Sequence, residues 1–507
     1  MENTSQASSQ GTSIDQAAAG AKSPAVHEFL GRAPGKLLIG GKWVAAKSGR
    51  IFETINPANE RVLGLIAEGD RADVDDAVAA ARREFDEGKW STMGPHKRAA
   101  IIRRIADTVE SHVDELAELE TLDNGAPLWM TRNMVLMAAE TFRYFSGWPT
   151  KIYGETNPSD PGLFNYTVRE PVGVCGLIIP WNAPLMLLAR KMAPALACGN
   201  TVVFKPAEQT PLTALRFGQL LEETGIPAGV VNIVTGFGPG AGSSIAEHPG
   251  IDRVSFTGSP EVGRLILQAS AGNLKRVSLE LGGKSPNIIF PDADMTAAVP
   301  AAMMGFCANS GQICSAGTRV FVQRGCYDEF TDKLATAVSG LRPGDPFAPD
   351  TKLGPLISRE QFDRVRSYVE TGSREGAALA LGGPPARGRG FFVDPTIFKG
   401  VDNGMTIARE EIFGPVASLI AFDDETDAVF QGNDTTYGLA AAVWTRDISR
   451  AHKVARSLKA GTVWINTYGH IDPISPVGGF KQSGIGRELG RYALDLYTQV
   501  KSVYLRL

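Results

Sequence analysis

The segment Phe306–Gly317, FCANSGQICSAG, holds the residue best suited to nucleophilic chemistry. A free cysteine is most often a small buried hydrophobe, and Cys175, Cys198 and Cys307, each in an apolar run, fit that description. Cys314 differs. Asn309, Ser310, Gly311, Gln312 and Ser315 surround it, as in a tight polar turn after a helix. There a backbone amide can stabilise a thiolate and serve as an oxyanion donor. In RVSLELGGKSPN, residues 276–287, apolar residues alternate with Ser278 and Glu280. This places Glu280 at the carboxyl end of a strand, where active sites of α/β units form. In IIPWNAPL, residues 178–185, flanking prolines restrict the backbone around Asn182, so its side-chain NH2 can be held as a second oxyanion donor. Taken singly, a solvated Glu and an Asx turn are the ordinary readings of these two residues.

A second group suits a nucleotide. In VVFKPAEQTPLTAL, residues 202–215, Lys205 ends a strand and Glu208 follows three residues on, a spacing that suits ribose hydroxyls. GFGPGAG at 236–242, which includes Gly238, and FTGSPEVG at 256–263 both follow strands. The second opens a helix at Ser259, whose free N–H groups can take a phosphate. Neither is the G-x-G-x-x-G fingerprint, and alone each reads as an ordinary turn.

These residues need a scaffold. From Val174 onward, continuous apolar runs alternate with helical periodicity: VCGLIIP, then PLMLLARKMAPALACG, then TVVFKP, and so on to RVSLELGG. That pattern predicts a parallel sheet covered on both faces. A second series starts near Pro286 and runs to Ser457. Residues 38–70 read as edge strands and turns, and residues 70–147 as helices. The 507 residues carry 51 Lys plus Arg against 55 Asp plus Glu, a net charge of −4. Such a balance offers no basic field for nucleic acid or an anionic membrane. The five cysteines match no zinc spacing, so no metal is expected, and reduced thiols of a cytoplasmic enzyme fit them best. Residues 1–28 are polar and small, which predicts a disordered tail.

Seven motifs occur together in one order: PWN at 180–182, FKPAEQTP at 204–211, FTGSPEVG, LELGGKSP, FCANSGQICSAG, EEIFGPV at 410–416 and PVGGFKQSGIGRELG at 476–490. The chain from about Gly41 to its end closely resembles the aldehyde dehydrogenase superfamily. The resemblance implies an α/β fold of three parts. These are a Rossmann-like NAD-binding domain (29–153 and 171–283), an α/β catalytic domain (284–490) and a small β oligomerisation segment (154–170 and 491–507). It implies a homodimer, or a homotetramer built from dimers. It also implies roles: Cys314 as nucleophile, Glu280 as general base, and Asn182 with the Cys314 N–H as oxyanion hole. Lys205 and Glu208 would hold the adenosine ribose, Ser259 the pyrophosphate and Glu411 the nicotinamide ribose. Phe413, Trp181, Gly238 and Leu281 would complete the cofactor contacts, and Glu488 would order the deacylation water.

Glu208 favours NAD over NADP, because a carboxylate accepts from the 2′-hydroxyl and repels a 2′-phosphate. Glu280 favours hydrolysis over transfer to coenzyme A, since CoA-acylating members typically lack it. Ala183 and Val477 stand where several broad-specificity members carry Phe, which leaves room for a bulky or aromatic aldehyde. Arg190, where those members often carry Trp, resembles semialdehyde and aromatic-aldehyde dehydrogenases and could meet a substrate carboxylate; a structural salt bridge is the competing reading. A catalytically silent protein of the same fold is the alternative from another class.

Overall fold

The computed structural model describes residues 16–32, 35–385 and 388–507. Its first sheet has eight strands. In spatial order they are Gly484–Ile485, Arg276–Glu280, Arg253–Thr257, Val174–Ile178, Thr201–Lys205, Val231–Ile233, Leu37–Ile39 and Lys42–Val44. The five from Arg276–Glu280 to Val231–Ile233 run parallel. Strands 174–178, 201–205 and 253–257 are buried at every position. Helices cover both faces of such strands, so their sequences are apolar throughout rather than alternating.

The second sheet has seven strands, in the order Ala378–Leu381, Thr396–Lys399, Val416–Phe422, Arg319–Gln323, Pro286–Ile289, Ala440–Trp444 and Thr462–Ile465. All pair in parallel except the first. The third is antiparallel: Thr498–Arg506 lies along Leu163–Pro171 over nine residues, and Thr156–Asn157 pairs on its other side. Lys205, Thr257 and Glu280 all stand at carboxyl ends of first-sheet strands, the edge where open α/β sheets bind ligands.

Two expectations need correction. Gly484–Ile485 falls within 284–490, yet it adds an outer strand to the first sheet, antiparallel to Leu279 and Glu280. The tail expected to be disordered to residue 28 is ordered from residue 16; residues 1–15 lie outside the described residues. Ala17 and Ala18 are fully buried, and Asn56 Nδ2 donates to the Ala17 carbonyl at 2.8 Å. Lys22 and Ser23 donate their N–H groups to Glu118 Oε2 at 3.0 and 2.9 Å, and Pro24 opens a helix to Leu30. Small residues fit against an existing surface and need no apolar bulk of their own, so a composition argument overlooks them. Deleting residues 1–23 is expected to cost about 1–2 kcal/mol, read as a lower melting temperature by calorimetry with KM unchanged.

Candidate active site

Helix Met295–Cys307 ends and the chain makes a left-handed turn, with φ of 49° at Asn309, 52° at Ser310 and 76° at Gly311. Two consecutive non-glycine residues in that region are costly and persist only where the surroundings hold them. Here the holders are visible. Asn309 Nδ2 donates to the Asn182 carbonyl at 2.9 Å, and Ser310 Oγ to the Gly354 carbonyl at 2.7 Å. Gln312 Nε2 donates to the Asn309 carbonyl at 3.1 Å, while Gln312 Oε1 accepts from Ile357 N at 2.9 Å. Position 311 must be glycine on two counts: its positive φ, and a Cβ there would lie 2.1 Å from the Gly414 carbonyl.

The turn delivers Cys314 against two other motifs. A Cβ on Gly283 would lie 2.4 Å from the Cys314 carbonyl oxygen, so the glycine turn after Glu280 packs on the Cys314 backbone. Gly283 N donates to Glu411 Oε1 at 3.1 Å. Burial pushes the Cys314 thiol up to about 12; nearby Glu411 and Glu280 push the same way, while Arg190 and the Ser315 N–H pull it down. Asn182, 8% exposed, donates Nδ2 to the Gln312 carbonyl at 2.9 Å, which fixes the amide plane and leaves its second N–H free.

Glu280 is buried, and its Oε1 has no hydrogen-bond partner. Burial raises its pKa well above the usual carboxylate range; Glu488 raises it further, and Lys191, Arg487 and Arg190 oppose. Val477 and Glu488 exchange backbone hydrogen bonds of 2.7 and 2.8 Å beside it. The Glu488 carboxylate is ion-paired with the fully buried Lys191. Lys191 also donates to Ser255 Oγ at 3.1 Å. Sequence reasoning missed Lys191. The signal was present, since a lysine inside the apolar helix Pro184–Ala197 has no solvated face to occupy.

Arg190, one residue earlier, is 6% exposed. Its one hydrogen-bond partner among the described residues is Met186 Sδ at 3.7 Å, so the salt bridge considered for it does not form with any described carboxylate. Ala183 is buried, at the start of the same helix.

The nucleotide candidates line the first sheet's carboxyl edge. Lys205 Nζ donates to the Pro206 carbonyl at 3.0 Å and to Glu208 Oε2 at 3.1 Å, and burial lowers its pKa. Gly238 opens a wide turn to Gly242, and a Cβ on Gly238 would meet open space. Ser259 caps helix Pro260–Ser270 by accepting from Val262 N at 3.3 Å. Leu281 packs under Gly263, and its N–H donates to the Ser483 carbonyl at 2.8 Å. Trp181 and Phe413 meet edge to face with centroids 5.2 Å apart. Phe413 has φ 59° and is held by Gln361 Nε2 donating to its carbonyl at 2.8 Å. Burial pushes Glu411 up to about 7. Thr257 Oγ1, at the end of its strand, is buried with no partner. A strip of this kind fits a dinucleotide: an orphaned hydroxyl, an open glycine turn and a paired Lys and Glu all stand at one sheet edge.

The chain matches the model of the aldehyde dehydrogenase family over residues 43–503. It belongs to that family. A putative aldehyde dehydrogenase, DhaS, of Bacillus subtilis is 50% identical over 473 residues, covering 93% of this chain and 96% of the relative. An NAD+ complex of a Bacillus cereus aldehyde dehydrogenase superimposes with a TM-score of 0.94 at 49% identity, covering 96% of this chain and 99% of that one. The indole-3-acetaldehyde dehydrogenase AldA of P. syringae, bound to NAD+ and IAA, superimposes with a TM-score of 0.93 at 42% identity over 95% and 99% of the two chains. This protein is an NAD(P)-dependent aldehyde dehydrogenase, an oxidoreductase.

The buried pair beside Glu280 can be tested. Lys191→Met removes one partner of a buried ion pair and is expected to cost about 3–5 kcal/mol, read by denaturant unfolding. It also removes a cation that lowers the Glu280 pKa. If Glu280 ionisation limits turnover, the limb of kcat that rises with pH moves to higher pH.

Proposed function

We propose that the enzyme oxidises a bulky or aromatic aldehyde to its acid with NAD+, through a thioester on Cys314. The reading is carried by the close packing of the Cys314 turn on the Gly283 and Gly414 backbones, which draws the motifs of Glu280, Asn182 and Glu411 to one point. NAD+, when bound, would supply the hydride acceptor, and Lys205, Glu208, Ser259, Glu411, Trp181 and Phe413 would hold it. The Cys314 sulfur, once deprotonated, forms a bond to the aldehyde carbon, and the carbonyl electrons move to oxygen. The Asn182 amide and the Cys314 N–H donate to that alkoxide. Hydride leaves the carbon, and a thioester remains. Glu280 takes a proton from water as the oxygen attacks the thioester carbon, and the thiolate departs from the acid. The ion pair of Glu488 with Lys191 fixes the wall behind that water.

Burial raises both Cys314 and Glu280, and ionised Glu411 or Glu280 would oppose a thiolate at Cys314. Deacylation therefore speeds up as pH rises through the Glu280 pKa. Cys314→Ala is expected to abolish turnover. Glu280→Gln is expected to keep a single-turnover NADH burst and lose at least about 100-fold in steady-state rate. Equal steady-state rates for Glu280→Gln and wild type would remove Glu280 from this role, and no NADH with any aldehyde would instead support a silent protein of this fold.

The substrate reading rests on small side chains at Ala183 and Val477 and gains from the IAA complex of the P. syringae relative. A second reading has one observation behind it: Arg190 is a buried cation with no described anion. It suits a semialdehyde whose far carboxylate would pair with it. Preference for NAD over NADP rests on Glu208. Exposed apolar side chains on both faces of the third sheet, Val500 and Tyr504 on one and Leu505 on the other, support a homodimer or homotetramer. No described helix is long and apolar enough to cross a membrane, and the cytoplasm is the proposed compartment. Aliphatic, aromatic and carboxylated aldehydes assayed with both cofactors separate these readings. The expected ranking puts aromatic aldehydes with NAD first. Best efficiency on a carboxylated aldehyde, lost in Arg190→Leu, would select the semialdehyde reading.

A further inference from the structure

Helix Val113–Asn124 touches none of the reacting groups, yet its last turn is buried and polar. Glu120 and Asp123 are fully buried, and Asn124 is 1% exposed. Their partners are backbone groups of the site loops. Asn124 Nδ2 donates to the Trp181 carbonyl at 2.7 Å, and its Oδ1 accepts from Ala126 N at 3.2 Å. Glu120 Oε2 accepts from Leu185 N at 3.2 Å. Asp123 accepts from Leu212 N at 2.9 Å and from Thr54 Oγ1 at 2.6 Å.

The two helices that receive these bonds have no N-caps of their own. Helices Pro184–Ala197 and Leu212–Leu220 start at Ala183 and Pro211, neither of which makes a side-chain cap. Their free N–H groups are therefore capped from outside, by Glu120 and Asp123. The helix end also reaches the nucleophile's side. Gly125 has φ 85°, and a Cβ on Gly354 would lie 1.9 Å from the Gly125 carbonyl oxygen. The Gly354 carbonyl in turn accepts from Ser310 Oγ in the Cys314 turn. One helix end thus backs both walls of the oxyanion site, with Asn182 on one and the Cys314 N–H on the other.

We propose that the last turn of helix Val113–Asn124 is a positioning element for the oxyanion hole, with Asn124 as its principal positioning residue through the Trp181 carbonyl. A short hydrogen bond to the peptide just before Asn182 sets the direction in which that side chain leaves the backbone. Glu120 pins the chain three residues after Asn182, so the turn is clamped from both sides by one rigid helix. Without the clamp the Asn182 peptide is held only from the Cys314 turn, by Gln312 and Asn309, and the amide shifts away from the developing alkoxide. An error of about 1 Å at such a donor is enough to cost ~100-fold in rate. The proposal rests on Asn182 being the oxyanion donor.

The test is a double-mutant cycle between Asn124→Asp and Asn182→Ala, read as the single-turnover rate of NADH formation. Aspartate keeps the acceptor for Ala126 N but gives up the amide donor to Trp181. Asn124→Asp alone is expected to lower that rate about 10- to 100-fold, with KM for NAD within about two-fold. In the Asn182→Ala background the same change is expected to cost less than about two-fold, because the donor it positions is already gone. Equal losses in the two backgrounds, or a loss seen only in the melting temperature, overturn the proposal. A full rate in Asn182→Ala alone would overturn the role given to Asn182 and this proposal with it. A full rate in Asn124→Asp beside an impaired Asn182→Ala overturns this proposal only. Should the aspartate variant not fold, Asn124→Ser, too short to reach Trp181, is held to the same outcomes.

Discussion

Backbone lies directly on backbone where Gly311 meets Gly414 and where Gly283 meets Cys314, and the site depends on those two contacts. At neither place is there room for a Cβ. The approach joins the Cys314 turn, the glycine turn after Glu280 and the loop of Glu411 and Phe413 into one unit. It also helps to explain why two non-glycine residues, Asn309 and Ser310, stay in left-handed conformation. Their own preference runs against it, and tertiary contacts supply the difference.

Packing that tight excludes water, and the electrostatics follow. Cys314, Glu280 and Glu411 are all raised for the same first reason, the cost of a charge away from water. Lys191 and Arg190 on one helix oppose that cost at Glu280, and Arg190 does so at Cys314 as well. They do so differently. Lys191 is committed to Glu488, whereas Arg190 has no ion-pair partner among the described residues.

Much of the scaffold could be read from the chain. Strands such as Thr201–Lys205 are apolar at nearly every position because both faces are covered, and that alone predicts a parallel sheet. The ends of those strands named the crevice, and the types of residue there named its chemistry. The short strand Gly484–Ile485 was not legible, since two residues show no periodicity. Nor was the order of Ala17 and Ala18, whose burial depends on a surface formed by distant segments. The partners of Lys191 and Asn124 escaped for a related reason, although Lys191 itself stood out as a lysine inside an apolar helix. Each serves a group far away in the chain, a carboxylate at 488 and a carbonyl at 181.

The sequence by itself determined the alternation of strands and helices and the presence of a thiol, a carboxylate and an amide in distinctive local settings. Those are properties of runs of a dozen residues, where side-chain period and turn chemistry act. Only the tertiary structure decided that the motifs of residues 182, 280, 314 and 411 pack against one another, and that Glu280 is buried with an oxygen that has no hydrogen-bond partner among the described residues. Distance and desolvation belong to groups that are tens to hundreds of residues apart in the chain, so no local pattern could specify them.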